Sequence, residues 1–327
     1  MNIRANSILV AGALFVAIGF SPASYGQATE SQGIWAVAGT MTTDRTEVAS
    51  AEVNGKLYVL GGSALGREDS PLNQEFDPAT GRWRDRAPMP RGASHVGVAA
   101  MNGKIYVAGG FTANTHKNPL DQFAEYDPAT DKWRVLAPIA APLGAVGLVA
   151  AGGKLHVVGG RDPQTKTVAT HQIYDPASGK WSMAAPLSVA RDHLGVASVG
   201  GRVYVFGGRT AAAVDNVALT EMYDPATDSW KTMTPMPTAR SAGAPVEYRG
   251  LILWVGGECQ NPQTHATFTE NEAYDPKANR WMTLAKHPTG LHGHSASVVG
   301  GSVYFTGGTS GCGGIDPNKS VYSFRLP

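Results

Sequence analysis

The sequence has little of several things that mark common classes of protein. It contains two cysteines in 327 residues, and its 27 Lys and Arg are almost balanced by 26 Asp and Glu. A formal net charge of +1, with no run of Lys or Arg, argues against a nucleic-acid-binding surface. Serine-hydrolase elbows, phosphate-binding glycine loops and haem-attachment motifs are also missing, so these chemistries are excluded.

Long hydrophobic runs are scarce as well. The clearest one, residues 8–20, spans 13 residues, which is too short to cross a bilayer. It follows Arg4, is broken by Ser21 and Pro22, and is followed by small residues up to Ala28. These features predict a cleaved signal peptide at 1–28, a mature chain that begins at Thr29, and a periplasmic or secreted protein without a membrane span.

What the sequence does contain is a repeat with a period near 50 residues. A Gly-Gly pair recurs six times, and its second glycines are separated by 48 to 51 residues: Gly62, Gly110, Gly160, Gly208, Gly257 and Gly308. Five aromatic-Asp-Pro steps follow, at Phe76, Tyr126, Tyr174, Tyr223 and Tyr274. A tryptophan comes seven residues after each of these aromatics, at Trp83, Trp133, Trp181, Trp230 and Trp281. Such a period is typical of a β-propeller.

One copy shows why the marks recur. Residues 94–100 and 104–108 are rich in β-branched and small residues, and Asn102-Gly103 between them predicts a tight hairpin turn. In the Asp-Pro step, Asp accepts hydrogen bonds from nearby amides and Pro presets φ for a turn. One blade cannot bury both of its faces, so we expect the blades to stack into a ring.

These motifs resemble the kelch repeat, and the resemblance covers essentially all of the chain after residue 33. It implies an all-β fold of four-stranded blades around a central channel. Trp35 lies 48 residues before Trp83, so residues 34–41 form an outer strand without a blade of its own. The sixth copy ends at residues 320–325 without an outer strand. We therefore predict a single six-bladed propeller, residues 29–327, whose last blade is completed by the N-terminal strand.

The two cysteines, Cys259 and Cys312, follow the Gly-Gly pairs of blades five and six. They are expected in adjacent loops on one face. In an oxidising compartment this placement predicts a disulfide between them, and two free, partly buried thiols are the alternative.

Three repeat positions on the loop face depart from the framework. At the start of the inner strand the blades carry Arg45, Ala93, Leu143, Arg191, Arg240 and Leu291. Two residues later they carry Glu47, His95, Ala145, His193, Ala242 and Gly293. Directly after the Gly-Gly pair they carry Ser63, Phe111, Arg161, Arg209, Glu258 and Thr309. Because the repeat demands none of these charges, we expect a binding site here.

The arginines favour an acidic ligand, since guanidinium groups bind carboxylates and phosphates through two hydrogen bonds. The predicted ligand-binding residues are Arg45, Arg161, Arg191, Arg209, Arg240, His95, His292 and His294. The alternative is that each arginine pairs with a local acid, such as Asp162, Asp192 or Asp215, and ties loops together. The histidines, with His265, have no diagnostic metal-binding spacing, so we expect no metal and no cofactor.

Three classes of function stay open. The propeller is expected to act as a binding module that holds a protein segment or an acidic small molecule, including a sugar. Alternatively it is an enzyme, because it resembles the exported bacterial N-acetylneuraminate epimerases (mutarotases), which are kelch propellers of similar size. Glu258, His193 and Glu47 are then the candidate acid and base. A structural role in an exported assembly is the third class. The resemblance to the copper-radical oxidases fails, because every tyrosine of the mature chain belongs to the repeat framework or a turn and none is free to bind copper.

Overall fold

A computed structural model describes residues 32–64, 69–113 and 116–327. The predicted signal peptide at 1–28 lies outside the described residues. Within them the regular structure is β-strand apart from 3-10 geometry at Gln32 and a short 3-10 turn at Cys312–Gly314. Among the helices of the described residues, none has the length and apolar character to cross a membrane.

Six antiparallel sheets form the blades. Blade one contains β2 (Ala49–Val53), β3 (Lys56–Leu60), β4 (Asn73–Asp77) and β5 (Arg82–Asp85). Blade two contains β6 (Gly97–Met101), β7 (Lys104–Ala108), β10 (Phe123–Asp127) and β11 (Lys132–Val135), with the small hairpin β8 (Phe111–Ala113) and β9 (Lys117–Pro119) in its loop. Blade three contains β12 (Gly147–Ala151), β13 (Lys154–Val158), β14 (His171–Asp175) and β15 (Lys180–Met183).

Blades four and five repeat the same order. Blade four contains β16 (Gly195–Val199), β17 (Arg202–Phe206), β18 (Thr220–Asp224) and β19 (Ser229–Thr232). Blade five contains β20 (Ala244–Tyr248), β21 (Leu251–Val255), β22 (Asn271–Asp275) and β23 (Arg280–Thr283). Blade six contains β24 (His292–Val299), β25 (Ser302–Gly311), β26 (Ile315–Pro317), β27 (Ser320–Arg325) and the N-terminal β1 (Ile34–Thr40).

The local signals of the repeat have the expected causes. Asn102 and Gly103 both adopt positive φ, 53° and 72°, as the tight turn between β6 and β7 requires. In the Asp-Pro step, the Asp127 carboxylate accepts the Ala129 amide at 3.0 Å. The second strand of each blade is almost wholly buried, because it packs between the faces of the neighbouring blades.

The ring closes as predicted. Strand β1 pairs antiparallel with β27, with Trp35 opposite Phe324, and β27 pairs with β25. The Trp35 ring contacts those of Phe305 and Phe324, at centroid distances of 5.0 and 4.8 Å. The first and last segments of the ring are thus joined within one sheet, and the six-bladed prediction is confirmed.

The tryptophans connect each blade to the one before it. Each donates its indole N–H to a backbone carbonyl of the preceding blade: Trp35 to Ala285, Trp133 to Ala87, Trp181 to Ala137, Trp230 to Ala185 and Trp281 to Thr234. Trp83 is the exception, since its buried Nε1 has no hydrogen-bond partner among the described residues. The sequence motif therefore marks the joints between blades.

A second set of joints surrounds the channel. Six equivalent residues adopt the left-handed conformation, with φ between 51° and 61°: Glu47, His95, Ala145, His193, Ala242 and Gly293. The amides of five of them each donate to the carbonyl of the equivalent residue in the preceding blade, and the Val48 amide closes the circle onto Gly293. We call this the backbone ring. Below it, the inner strands line a cavity of about 480 Å³.

Candidate functional site at the channel mouth

The backbone ring brings two of the variable positions together. The residue just before each ring residue pairs with the residue after the Gly-Gly step of the same blade, as in Ser94 with Phe111 and Asp192 with Arg209. The side chains of both positions therefore converge above the ring. We call this cluster the channel mouth; its residues are Glu47, His95, His116, Arg161, Asp192, His193, Arg209, Glu258 and His292.

Asp192 is the most connected group of the channel mouth. Its carboxylate accepts His193 Nδ1 at 2.5 Å, Arg209 Nε at 3.0 Å and Arg161 Nε at 2.7 Å. It is fully buried. Burial alone would raise the pKa of Asp192, but His193, Arg209 and Arg161 outweigh burial and hold it below its usual value. Asp192 is therefore an anion that fixes three neighbours.

The other half of the channel mouth is organised by two glutamates. The Glu47 carboxylate lies 3.3 Å from His95 Nε2 and 3.5 Å from His292 Nε2. Glu258 lies 3.7 Å from His292 Nε2 and accepts Arg209 Nη1 at 2.6 Å. Contacts thus run around the whole mouth through carboxylates, imidazoles and one guanidinium.

The histidines of the channel mouth are neutral bases at neutral pH. Burial and the nearby positive groups lower the pKa of His116 to about 3, and burial lowers that of His292 to about 4. Burial also lowers the pKa values of His95 and His193. His193 donates from Nδ1 to Asp192, so its Nε2 carries the lone pair of the neutral ring. This Nε2 atom lies 3.1 Å from Arg209 Nη2.

Glu258 stays ionised. Burial opposes ionisation, but His292 and Arg209 outweigh it and lower the pKa of Glu258 to about 2. A group with this pKa is a poor general acid at neutral pH, because almost none of it carries a proton. As a carboxylate it can accept hydrogen bonds or act as a base.

Three of the predicted ligand-binding arginines do not reach the channel mouth. Arg45, Arg191 and Arg240 are fully buried within their own blades. Arg191 donates to the carbonyls of Gly207 and Leu219 and pairs with Glu221.

The other two repeat this arrangement. Arg240 donates to the carbonyls of Gly256 and Trp254 and pairs with Glu272. Arg45 donates to the Gly61 carbonyl and to Gln74. Their burial and their partners within the blade contradict the predicted role in ligand binding, and they tie the strands of a blade together instead.

Arg161 and Arg209 do lie at the channel mouth, but both already have partners. Arg161 pairs with Asp192 and donates to the Ala211 carbonyl, as the alternative reading of the sequence had it. Asp162 and Asp215, the other acids considered, accept amides of their own loops. The prediction that these five arginines together bind an acidic ligand is therefore wrong in this form.

The remaining predicted residues divide in two. His95, His193, His292, Glu47 and Glu258 meet at the channel mouth. His294 lies below the channel mouth, and its ring centroid is 6.3 Å from that of His287 and 6.0 Å from that of Phe305. Burial holds the pKa of His294 well below the usual value. Cys259 and Cys312 are free thiols in the structure, and Cys312 is a hydrogen-bond partner of Cys259. Their disulfide stays a prediction.

Sequence reasoning missed His116, which approaches from the turn between β8 and β9. Its ring lies 4.8 Å from that of His95 and 4.9 Å from that of His193, measured between centroids. No repeat motif marks it, because it lies in the loop between β7 and β10, and the corresponding loops differ in length and residues from blade to blade. The buried pairs did leave a signal in the sequence. Among the first five blades, a glutamate stands two residues before the repeat aromatic only in blades four and five, as Glu221 and Glu272. Both of these blades have an arginine at the start of the inner strand.

Comparison with known proteins agrees with this architecture. A family model described as the Attractin/LZTR1 beta-propeller matches residues 57–313. The chain belongs to this family. Members of the Attractin/LZTR1 beta-propeller family are kelch-type propellers, so the resemblance inferred from the repeats is confirmed.

A solved structure extends the comparison to the fold. The structure of YjhT superposes on the chain with a TM-score of 0.72, and the match covers 87% of this chain and 95% of YjhT at 15% identity. At this identity the likeness shows a shared fold. A search of curated proteins found no match.

Proposed function

We propose that the protein is an exported binding module that holds a small polyhydroxylated ligand, such as a sugar, at the channel mouth. The observation that carries the proposal is the continuous circuit of buried polar side chains above the backbone ring. A propeller that binds no ligand at its channel mouth has no need of charged side chains there. The predicted signal peptide supports the exported location. The propeller fold is typical of binding modules, which supports the class of function.

The chemistry of the circuit favours hydroxyl groups over a free anion. Ionised carboxylates accept hydrogen bonds from hydroxyls, and neutral imidazoles can either accept or donate, so neither group has to desolvate a new charge. An acidic ligand would have to displace Asp192 or Glu258 from the arginines that they saturate. Displacing a buried partner leaves a carboxylate without its counter-charge, which is costly.

One observation also keeps an enzymatic role in view. His292 Nε2 lies between Glu47 and Glu258, at 3.5 and 3.7 Å. Opening and reclosing a sugar ring needs a positioned acid and base. The ionised Glu258 is the candidate base, and the ring N–H of the neutral His292 is the candidate acid. This is the mutarotase-like alternative.

The test uses N-acetylneuraminate and the neutral sugar galactose as probes. Saturation-transfer NMR on the purified protein should detect binding of galactose, and Glu47→Gln should weaken it at least tenfold. Glu247→Gln is the matched control, since that carboxylate lines the opposite end of the channel and accepts only the nearby Gly250 amide in the hydrogen bonds seen. It should bind as the native protein does.

The same samples separate the alternatives. Preferential binding of N-acetylneuraminate would show that an anion displaces the internal acids, against our reasoning. Faster anomer exchange that disappears in Glu47→Gln would identify an enzyme. Equal binding by native, Glu47→Gln and Glu247→Gln proteins would show that the channel mouth is not the site.

A further inference from the structure

We propose that His95, His116 and His193 form a binding site for a divalent transition-metal ion of the zinc type. One potential ligand nitrogen of each side chain lies within 4.8 Å of the others. Sequence reasoning expected no metal here, because it had no means of bringing His116 to the other two. The inference does not depend on the sugar-binding proposal.

The three imidazoles bring potential ligand nitrogens together around one point, and a metal binds such a ring through the lone pair of its unprotonated nitrogen. They also come from different elements: His95 and His193 are fixed by the backbone ring, while His116 approaches on a loop. Tetrahedral zinc needs ligand nitrogens about 3.3 Å apart, so the three side chains have to move closer together when the ion binds.

A second feature is the support behind the ligands. His193 donates Nδ1–H to the Asp192 carboxylate at 2.5 Å, and a carboxylate in this position orients a metal-binding imidazole and raises its basicity. His95 Nδ1 contacts the Ser94 hydroxyl at 2.8 Å. Such hydrogen bonds to the far side of the ring commonly accompany metal ligation.

The third feature is that a cation already faces these rings. Arg209 Nη2 lies 3.1 Å from His193 Nε2 and 3.4 Å from His116 Nε2. The surroundings tolerate positive charge, because the carboxylates of Glu47, Asp192 and Glu258 outnumber the two guanidiniums of the channel mouth. We infer that Arg209 and the metal compete for one position, with Arg209 turning away when the metal binds.

Three histidines select borderline metals such as Zn²⁺, Co²⁺, Ni²⁺ and Cu²⁺ over Mg²⁺ and Ca²⁺, which prefer oxygen ligands. Three histidines leave a fourth position of a tetrahedral ion open. This position would be filled by water or by a group of a bound ligand.

The experiment is calorimetric titration of ZnCl₂ into EDTA-treated, tag-free protein, without any sugar present. We expect one ion per chain, and Co²⁺ should give the visible absorption of a tetrahedral site. His116→Ala, on a surface loop, should weaken zinc binding at least 100-fold without lowering the melting temperature. His265→Ala is the matched control: it removes an exposed histidine outside the cluster and should bind zinc as the native protein does.

The proposed competition between Arg209 and the metal can be tested independently. Arg209→Gln removes the guanidinium and keeps a polar side chain, so it should bind Zn²⁺ at least tenfold more tightly. Unchanged or weaker binding would show that Arg209 does not occupy the metal position. If native protein binds no zinc, or if His116→Ala and His265→Ala bind equally, the three histidines are not a metal site. Neither result bears on whether galactose binds.

Discussion

Trp83 and Trp133 occupy the same repeat position, but only one of them has a hydrogen bond to lose. Trp133 donates Nε1–H to the Ala87 carbonyl at 2.8 Å, whereas the buried Nε1 of Trp83 has no partner among the described residues. Their ring packing is similar, against Phe76 at 4.8 Å for Trp83 and Tyr126 at 5.0 Å for Trp133. Substitution by phenylalanine therefore removes similar packing and different polar contacts.

The difference between the two variants can be estimated. Trp133→Phe loses a hydrogen bond with a net value of about 1 kcal/mol, while Trp83→Phe removes a buried unsatisfied donor that costs about 1–3 kcal/mol. The free energy of unfolding should thus be about 2–4 kcal/mol lower for Trp133→Phe than for Trp83→Phe. For a chain of this size that corresponds to a melting temperature lower by roughly 4 °C or more.

Urea unfolding and differential scanning calorimetry on both variants measure this difference. Near-ultraviolet circular dichroism checks that each ring still closes. Equal destabilisation by the two substitutions would mean that the indole N–H groups contribute nothing to the joints between blades. A larger loss for Trp83→Phe would refute the reasoning outright.

Four further outcomes are expected. Deleting β1 (Ile34–Thr40) should cause aggregation or cost at least about 3–5 kcal/mol from the tryptophan alone, and an unchanged melting curve would contradict closure by this strand. Glu272→Gln should cost about 3 kcal/mol by leaving Arg240 buried without its counter-charge, and adding Arg240→Met should recover part of the loss in urea melts. Acidification from pH 7 to pH 5 should lower stability, because burial lowers the pKa of several histidines in the blades from 6.5 to about 4. The unfolded chain takes up protons at these histidines below about pH 6.5, whereas the folded chain does not, so the loss of stability begins near that pH. A melting temperature independent of pH in this range would contradict the prediction. Peptide mapping of the exported protein without reductant should recover the peptides of Cys259 and Cys312 linked, and alkylation of both thiols in the native protein would remove the disulfide.

The fold was predictable because each mark of the repeat has a local physical cause. Asn102 and Gly103 favour the positive φ values of a tight hairpin turn. The Asp of the Asp-Pro step accepts a backbone hydrogen bond within its own turn, and the tryptophan buries its ring between blades. Six registered copies make these weak signals decisive. The closing strand followed from the same counting, since Trp35 had no blade of its own.

The site was predictable only where the backbone dictates it. The ring position identified Glu47, His95 and His193, because equivalent residues of successive blades must converge on one axis. The direction of a long side chain carries no such constraint. Arg191 and Arg240 start their strands near the mouth, but their guanidiniums turn inward to Glu221 and Glu272.

His116 marks the other limit of sequence reasoning. It stands in the loop between β7 and β10 at a position that no repeat motif fixes, so its distance from the axis depends on how that loop folds. The short hairpin of β8 and β9 decides it, through the pairing of Phe111 with Pro119 and of Ala113 with Lys117. A residue such as His116, which has no counterpart in the other blades, cannot be compared with equivalent residues to predict where it lies.

The backbone ring separates two things that most binding sites combine. The hydrogen bonds that hold its six members together are made by amides and carbonyls, so no side chain at these positions is needed to keep the blades in place. Charged, aromatic, small and absent side chains are already found there within one chain, from Glu47 and His95 to Ala145 and Gly293. Gly293 has no room for a side chain, since a Cβ there would lie 2.6 Å from Glu47 Oε1. The other five positions face a common point and already differ in side chain, so a library varied at these five codons would change recognition while leaving assembly to the main chain.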